Sequence, residues 1–163
     1  MGVCGCGKTS VGTCLSEKLN CEFRDADSFH SEENKSKMAS GTPLTDQDRI
    51  PWLTAIHNYI TEKCRNDETM VVTCSALKKS YRNILKSGNP DNASASDTSF
   101  KLIFLKGDED ILLERLQSRK GHFMPASMLK SQLSTLEEPN DDENCLVVDI
   151  RTPVNCIVDT ILS

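Results

Sequence analysis

Gly2-Val3-Cys4-Gly5-Cys6-Gly7-Lys8-Thr9 fits the pattern G-x-x-x-x-G-K-[ST] at every constrained position. Glycines at these places let the backbone wrap so that consecutive N–H groups converge on phosphate oxygens. Lys8 adds a mobile cation for the β and γ phosphates, and Thr9 adds a hydroxyl for Mg²⁺. A nucleoside triphosphate is the ligand that this chemistry fits. From Ser10 to Leu19, Val11, Cys14, Leu15 and Leu19 recur on one helical face, so a helix starts at the loop and turns its N-terminus toward the phosphates.

Working outward, a loop of this kind hangs from the C-terminal end of a buried parallel strand of about 4–8 apolar residues. Only Met1 precedes Gly2, which reads as a shortened product or as a start assigned late. Downstream the signals alternate. Cys21–Arg24 is a short strand closing at Asp25-Ala26-Asp27. Ser28–Asp48 is polar, is broken by Gly41 and Pro43, and reads as a mobile helical segment. Arg49–Cys64 carries Ile50, Leu53, Ile56, Ile60 and Cys64 at helical spacing. Thr69–Cys74 is a strand, Leu77–Lys86 a helix, and Ser87–Ser99 a surface loop. Lys101–Leu105 is a strand and Glu109–Arg119 a helix. After the polar stretch Lys120–Pro125 comes a helix over Ala126–Leu136, then a strand over Cys145–Ile150. The final helix has Thr152 as cap and Pro153 as first residue, with Val154, Ile157, Val158 and Ile161 inward. Strands alternating with helices predict one α/β domain over residues 1–163, a three-layer arrangement of parallel sheet between helices, with its first strand apparently absent. The two polar excursions stand where a small-molecule kinase keeps its substrate cover, about 28–48, and its lid, about 119–126.

Composition narrows the partners. With 19 basic and 24 acidic residues the net charge is −5, and no long basic run exists to bind nucleic acid or an anionic membrane. No apolar run approaches a membrane span, and the first residues lack the layout of a secretion signal, so the expected place is the cytoplasm. Eight cysteines in such a chain are expected as reduced thiols. No second Cys or His pair follows Cys4-x-Cys6 at zinc-ligand spacing. Cys14, Cys64, Cys74, Cys145 and Cys156 read as small core hydrophobes. Cys4 and Cys6, beside Lys8 and a helix N-terminus, are candidates for ready oxidation.

Asp25 and Asp27, two apart at the end of a strand, share one face at the sheet edge where ligands bind. One carboxylate there holds Mg²⁺, and the other orients an attacking hydroxyl and takes its proton. The bland alternative is a pair of solvated turn aspartates. Arg115 and Arg119 run into Lys120-Gly121-His122, a basic helix end that suits a lid, although cations also favour any helix C-terminus. Lys78, Lys79 and Arg82 form another cationic group that faces the same edge or is a solvated helix face. Trp52 reads as packing, and His30 and His122 as hydrogen-bonding surface residues.

Asp25-Ala26-Asp27-Ser28-Phe29-His30, Lys37–Asp46, Cys74–Arg82, Gly121–Pro125 and Thr135–Pro139 together closely resemble the gluconokinase family, carbohydrate kinases related in fold to shikimate and adenylate kinases. The resemblance implies ATP-dependent phosphorylation of D-gluconate at its 6-hydroxyl, often by a dimer. It places Gly2, Val3, Cys4, Gly5, Cys6, Gly7, Lys8 and Thr9 on ATP, and Thr9 and Asp25 on Mg²⁺. Asp27 falls on the reacting hydroxyl, His30, Lys78 and Arg82 on substrate, and Arg119 with His122 in the lid. In related folds the strand before the loop lies mid-sheet, between the strands ending at Cys74 and Leu105. Its loss predicts a weakly folded or poorly active chain. Two other functions remain open: a catalytically silent chain that binds nucleotide or a full-length partner, and a kinase for another small acid or a nucleotide. A GTPase is disfavoured, since Asn-Lys-x-Asp is absent.

Overall fold

Gly7, left-handed at φ 94°, turns the chain into α1 (Lys8–Leu19), which closes on a second left-handed residue, Asn20 at φ 49°. These belong to a computed structural model that describes residues 1–92, 100–118 and 126–163. α1 lies against the strands at Gly12, where a Cβ would stand 2.6 Å from the Phe23 ring and 2.7 Å from the Thr73 methyl. Only a residue without a side chain allows that approach.

β1 (Glu22–Asp25) pairs in parallel with β2 (Met70–Thr73), with Glu22 opposite Met70 and Asp25 opposite Thr73. β3 (Leu102–Lys106) pairs in parallel with β4 (Cys145–Asp149), with Leu102 opposite Cys145. Among the described residues the sheet is in two halves, and no strand stands between β2 and β3. Met1 and Gly2 bridge that interval. The Met1 amino group donates to the Ile103 carbonyl at 2.5 Å and the Leu105 N–H to the Met1 carbonyl at 3.0 Å. On the other side the Gly2 N–H donates to the Ser75 carbonyl at 3.2 Å. The phosphate loop therefore leaves from between the two halves at their C-terminal ends, where a central strand would deliver it.

Helices alternate with the parallel strand pairs, giving an α/β fold. One core cluster gathers Val3, Cys6, Val11, Leu112, Leu116 and Val158, and the other gathers Trp52, Leu53, Ile56, Tyr81, Ile84 and Leu85. Several elements begin elsewhere than the hydrophobic pattern predicts. The polar cover contains α2 (Glu32–Ala39), capped by Ser31, whose Oγ accepts from the Asn34 N–H at 3.1 Å. α3 (Asp46–Arg65) starts three residues before Arg49, because Thr45 and Asp48 form a reciprocal capping box. Such a box satisfies two N–H groups that a helix start leaves orphaned. α4 (Lys79–Ser87) starts at Lys79, whose N–H is taken by Glu137 Oε2 at 2.6 Å. α5 (Glu109–Ser118) and α6 (Ala126–Thr135) follow the reading, while α7 (Val154–Leu162) starts one residue late, with Pro153 as cap in place of Thr152.

None of the eight cysteines is in a disulfide. Cys64 and Cys156 are exposed, contrary to the core placement read from sequence, because the inward faces of α3 and α7 are already filled by residues such as Ile56 and Val158. No described helix is long and apolar enough to cross a membrane.

Candidate active site

The phosphate loop is built on left-handed glycines, Gly2 at φ 145°, Gly5 at 80° and Gly7 at 94°. Two of them are also crowded. A Cβ on Gly2 would stand 2.8 Å from Cys6 Sγ and 2.9 Å from the Leu105 carbonyl, and one on Gly5 would stand 3.2 Å from the Leu112 carbonyl of α5. Cys6 is 1% exposed, so its thiol points into the core, and ready oxidation does not fit that burial. Lys8 Nζ rests inside the loop, donating to the Gly2 and Val3 carbonyls at 2.9 Å each. These neutral acceptors hold the ammonium in place without a counter-charge to compete with a phosphate.

Two neighbours of the loop come from far along the chain. Gln132 Oε1 of α6 accepts from the Cys4 N–H at 2.7 Å. Arg115 of α5, assigned to the lid helix from sequence, lies beside the loop, its Nη1 being 3.7 Å from where a Cβ on Gly7 would sit. Its Nη2 donates to the Ile150 carbonyl at 2.5 Å. Nothing in the local sequence marks Gln132.

Asp25 ends β1, and Asp27 lies in the 3₁₀ turn Ala26–Phe29 that follows. Strand alternation does not bring them together, as the sequence suggested; a cap does, with Asp25 Oδ1 accepting from the Asp27 N–H at 3.0 Å. Asp27 is exposed as a residue, yet partial burial of its carboxyl pushes its pKa above the usual range, and the Asp25 charge adds to the shift against His30 and Lys8. A carboxylate biased toward taking a proton is what a general base requires.

His30 is 8% exposed and stacks on Trp52 at 4.2 Å with the rings 14° apart. Trp52 is fixed by its own Nε1, which donates to the Ala26 carbonyl at 2.7 Å. His30 Nδ1 has no hydrogen-bond partner among the described residues. Burial lowers the His30 pKa, while Asp27 opposes and Arg49 reinforces the shift. This ring is not the surface residue that its polar stretch suggested, and its orphaned nitrogen awaits a partner.

Lys78 reaches both carboxylate oxygens of Asp46, at 2.8 and 3.1 Å. Arg82, expected among the substrate contacts, is not brought to the cleft. It is 1% exposed and forms a bidentate pair with Glu143, at 2.6 and 2.8 Å. Its Nη1 donates to the carbonyls of Ala76, Leu77 and Glu137, at 3.1, 3.3 and 2.9 Å. The guanidinium thus ties the loop after β2, where Ala76 is left-handed at φ 47°, to the chain entering β4. Arg119 and His122 lie outside the described residues, as do most of the expected lid and positions 93–99 of the expected loop.

No group of three or more His, Cys, Asp and Glu among the described residues could hold a metal ion unaided. Thr9, in the first turn of α1, and Asp25, at the end of β1, each carry an oxygen that could join an ion which keeps several waters and arrives on phosphates.

A family model described as shikimate kinase matches residues 4–154. A probable gluconokinase of Mus musculus is 47% identical over 159 residues, covering 92% of this chain and 86% of its relative. The thermoresistant gluconokinase of Escherichia coli K12 is 43% identical over 159 residues, with 97% and 86% covered. In the crystal structure of a gluconokinase from Sinorhizobium meliloti 1021, the similarity reaches a TM-score of 0.83 at 42% identity, over 98% of this chain and 85% of that one.

Proposed function

We propose, because this chain belongs to the gluconokinase family of phosphate-binding-loop kinases, that it transfers the γ-phosphoryl group of ATP to the 6-hydroxyl of D-gluconate, giving 6-phosphogluconate and ADP. One observation carries the reading: the glycine loop with Lys8 is tied at Gly2 to Ser75, just past the end of β2, and the carboxylates of Asp25 and Asp27 stand at the same end of β1, the partner of β2, where the Lys8 charge bears on the Asp27 proton equilibrium.

The roles follow from the geometry. Main-chain amides of Gly2–Thr9 and the Lys8 ammonium, released from its two carbonyls, stabilise charge that spreads over phosphoryl oxygens in transfer. Mg²⁺, when bound with ATP through Thr9 and Asp25, supplies further neutralisation of that charge. Asp27 orients the acceptor hydroxyl and takes its proton. His30 offers its unpartnered nitrogen to the sugar chain, on a ring held flat by Trp52. Arg82 acts at a distance, by holding the wall on which Lys78 stands. Arg119 and His122 keep their place in a proposed lid, and a cytoplasmic homodimer is part of the same proposal.

A coupled assay of ADP release tests it. Turnover with gluconate and ATP is expected, and no turnover with shikimate or nucleoside monophosphates. A version extended by about eight apolar residues ahead of Met1, able to pair between β2 and β3, is expected to turn over faster. ADP release by neither version would remove the reading and leave a silent nucleotide-binding chain.

A further inference from the structure

One peptide unit of the phosphate loop is gripped at both ends by side chains. The Val3 carbonyl takes Lys8 Nζ at 2.9 Å, and the Cys4 N–H of the same unit donates to Gln132 Oε1 at 2.7 Å. Gly2 and Gly5, both left-handed, stand directly before and after Val3-Cys4, so the flanking backbone leaves that plane free to turn. The second grip has a firm base. Gln132 lies one turn after Leu129 on α6, and Leu129 is wholly buried in the core cluster that also holds Val3 and Cys6. Its orientation follows from its partner: an N–H needs an acceptor, so the side-chain amide turns its oxygen to the loop.

We propose that Gln132 is a positioning residue for phosphoryl transfer, which holds the peptide between Val3 and Cys4 in place while Lys8 leaves its carbonyls for the phosphates. The inference rests on the kinase reading above and deepens it by adding a residue that acts through Lys8. At rest the two grips reinforce each other, since an N–H that donates makes the carbonyl across its own peptide a better acceptor for the ammonium. In transfer the ammonium is drawn toward phosphoryl oxygens, and its grip on Val3 slackens. The Gln132 side chain is neutral and its bond needs nothing from the nucleotide, so its grip stays. The Val3 carbonyl then keeps its aim at Lys8, and the positive charge stays where transfer needs it.

The experiment compares Gln132→Met, which keeps the length of the side chain without its amide oxygen, with the unaltered chain, with Lys8→Met and with the double variant. Gln132→Met is expected to lower kcat about 10–100-fold while the gluconate KM stays within about threefold, as a misplaced catalytic group does. Added to Lys8→Met it is expected to cost less than about twofold more, because a residue that acts through Lys8 has nothing left to position. Amide hydrogen exchange, followed by NMR with Mg²⁺ and a non-hydrolysable ATP analogue bound, reads the grip without turnover. The Cys4 amide is expected to be protected in the unaltered chain and to exchange at least about tenfold faster in Gln132→Met. A kcat within twofold in the single variant, losses that multiply in the double variant, or a Cys4 amide that loses protection when the analogue binds to the unaltered chain overturns the proposal. The two readings fail separately. Gluconate turnover by the unaltered chain with kcat unmoved in Gln132→Met leaves the kinase and removes the positioning role. No gluconate turnover, but Cys4 protection in the analogue complex that Gln132→Met abolishes, does the reverse.

Discussion

Replacing Arg82 by Met separates a wall-holding role from a substrate contact. The side chain of Arg82 is 1% exposed and that of Glu143 is 4%, so truncating the cation strands an anion that water does not reach. Breaking a buried pair by removing one partner costs about 3–5 kcal/mol. A domain of this length has about 5–15 kcal/mol in all, and each kcal/mol shifts Tm by about 2–4 °C, so the expected loss is of the order of 10 °C. The double variant Arg82→Met, Glu143→Met recovers part of this, because no charge is left stranded. Recovery stays incomplete, because the carbonyls of Ala76, Leu77 and Glu137 lose their donor. Thermal melts by circular dichroism give the stabilities, and KM at a temperature where each variant is folded gives the binding. The pair also sets an acid limit. Burial alone pushes the Glu143 carboxyl up, but the hydrogen bonds from Arg82 and from the Asn140 N–H outweigh it and hold the pKa below the usual range. A lowered carboxylate pKa contributes stability that is present above the unfolded value, near 4.5, and is lost as pH falls through the folded one. Arg82→Met melting within about 2 °C of the unaltered chain while losing affinity for gluconate would refute this account and return Arg82 to the substrate.

Lys8→Met is expected to lower kcat by about two to three orders of magnitude, as loss of a preorganised charge does, with little change in Tm, since the bonds of Lys8 among the described residues go to groups of its own loop, the Gly2 and Val3 carbonyls and the Cys6 sulfur; a kcat within tenfold would disprove the role. Asp27→Asn should remove the acidic limb of the kcat/KM profile along with most of the activity. That limb reports protonation of the base as pH falls. Because desolvation and Asp25 raise the Asp27 pKa, it should lie above the ordinary carboxylate value of 3.8, and a midpoint at or below that value counts against Asp27 as base. Gly12→Ala forces a methyl to within 2.7 Å of Phe23 and Thr73. It should cost about 1–3 kcal/mol as overpacking in denaturant melts, and a neutral result would mean that α1 sits further from the sheet.

Local chemistry was legible and distant partnership was not. The phosphate loop shows in eight consecutive residues, because main-chain amides do the binding and glycine at fixed spacing is what permits their convergence. The βα alternation shows because each buried face repeats within a few residues. The capping box was equally local, written in Thr45 and Asp48, and hydrophobic periodicity passed over it because neither residue is apolar. Gln132 reaches Cys4 across 128 positions, and Glu143 reaches Arg82 across 61, so no window along the chain contains either pair. Lys78 and Arg82 make the point within one turn of each other. Four residues apart beside the same strand, they carry the same charge and read alike in sequence. Arg82 points inward and meets an anion that burial holds in place, which leaves it a structural tie. Lys78 meets Asp46 at the surface, an anion that solvent can take back, which leaves a cation available to a ligand. The chemical availability of a basic residue is fixed by how firmly its counter-ion is held, and that is a property of burial at both ends of the pair.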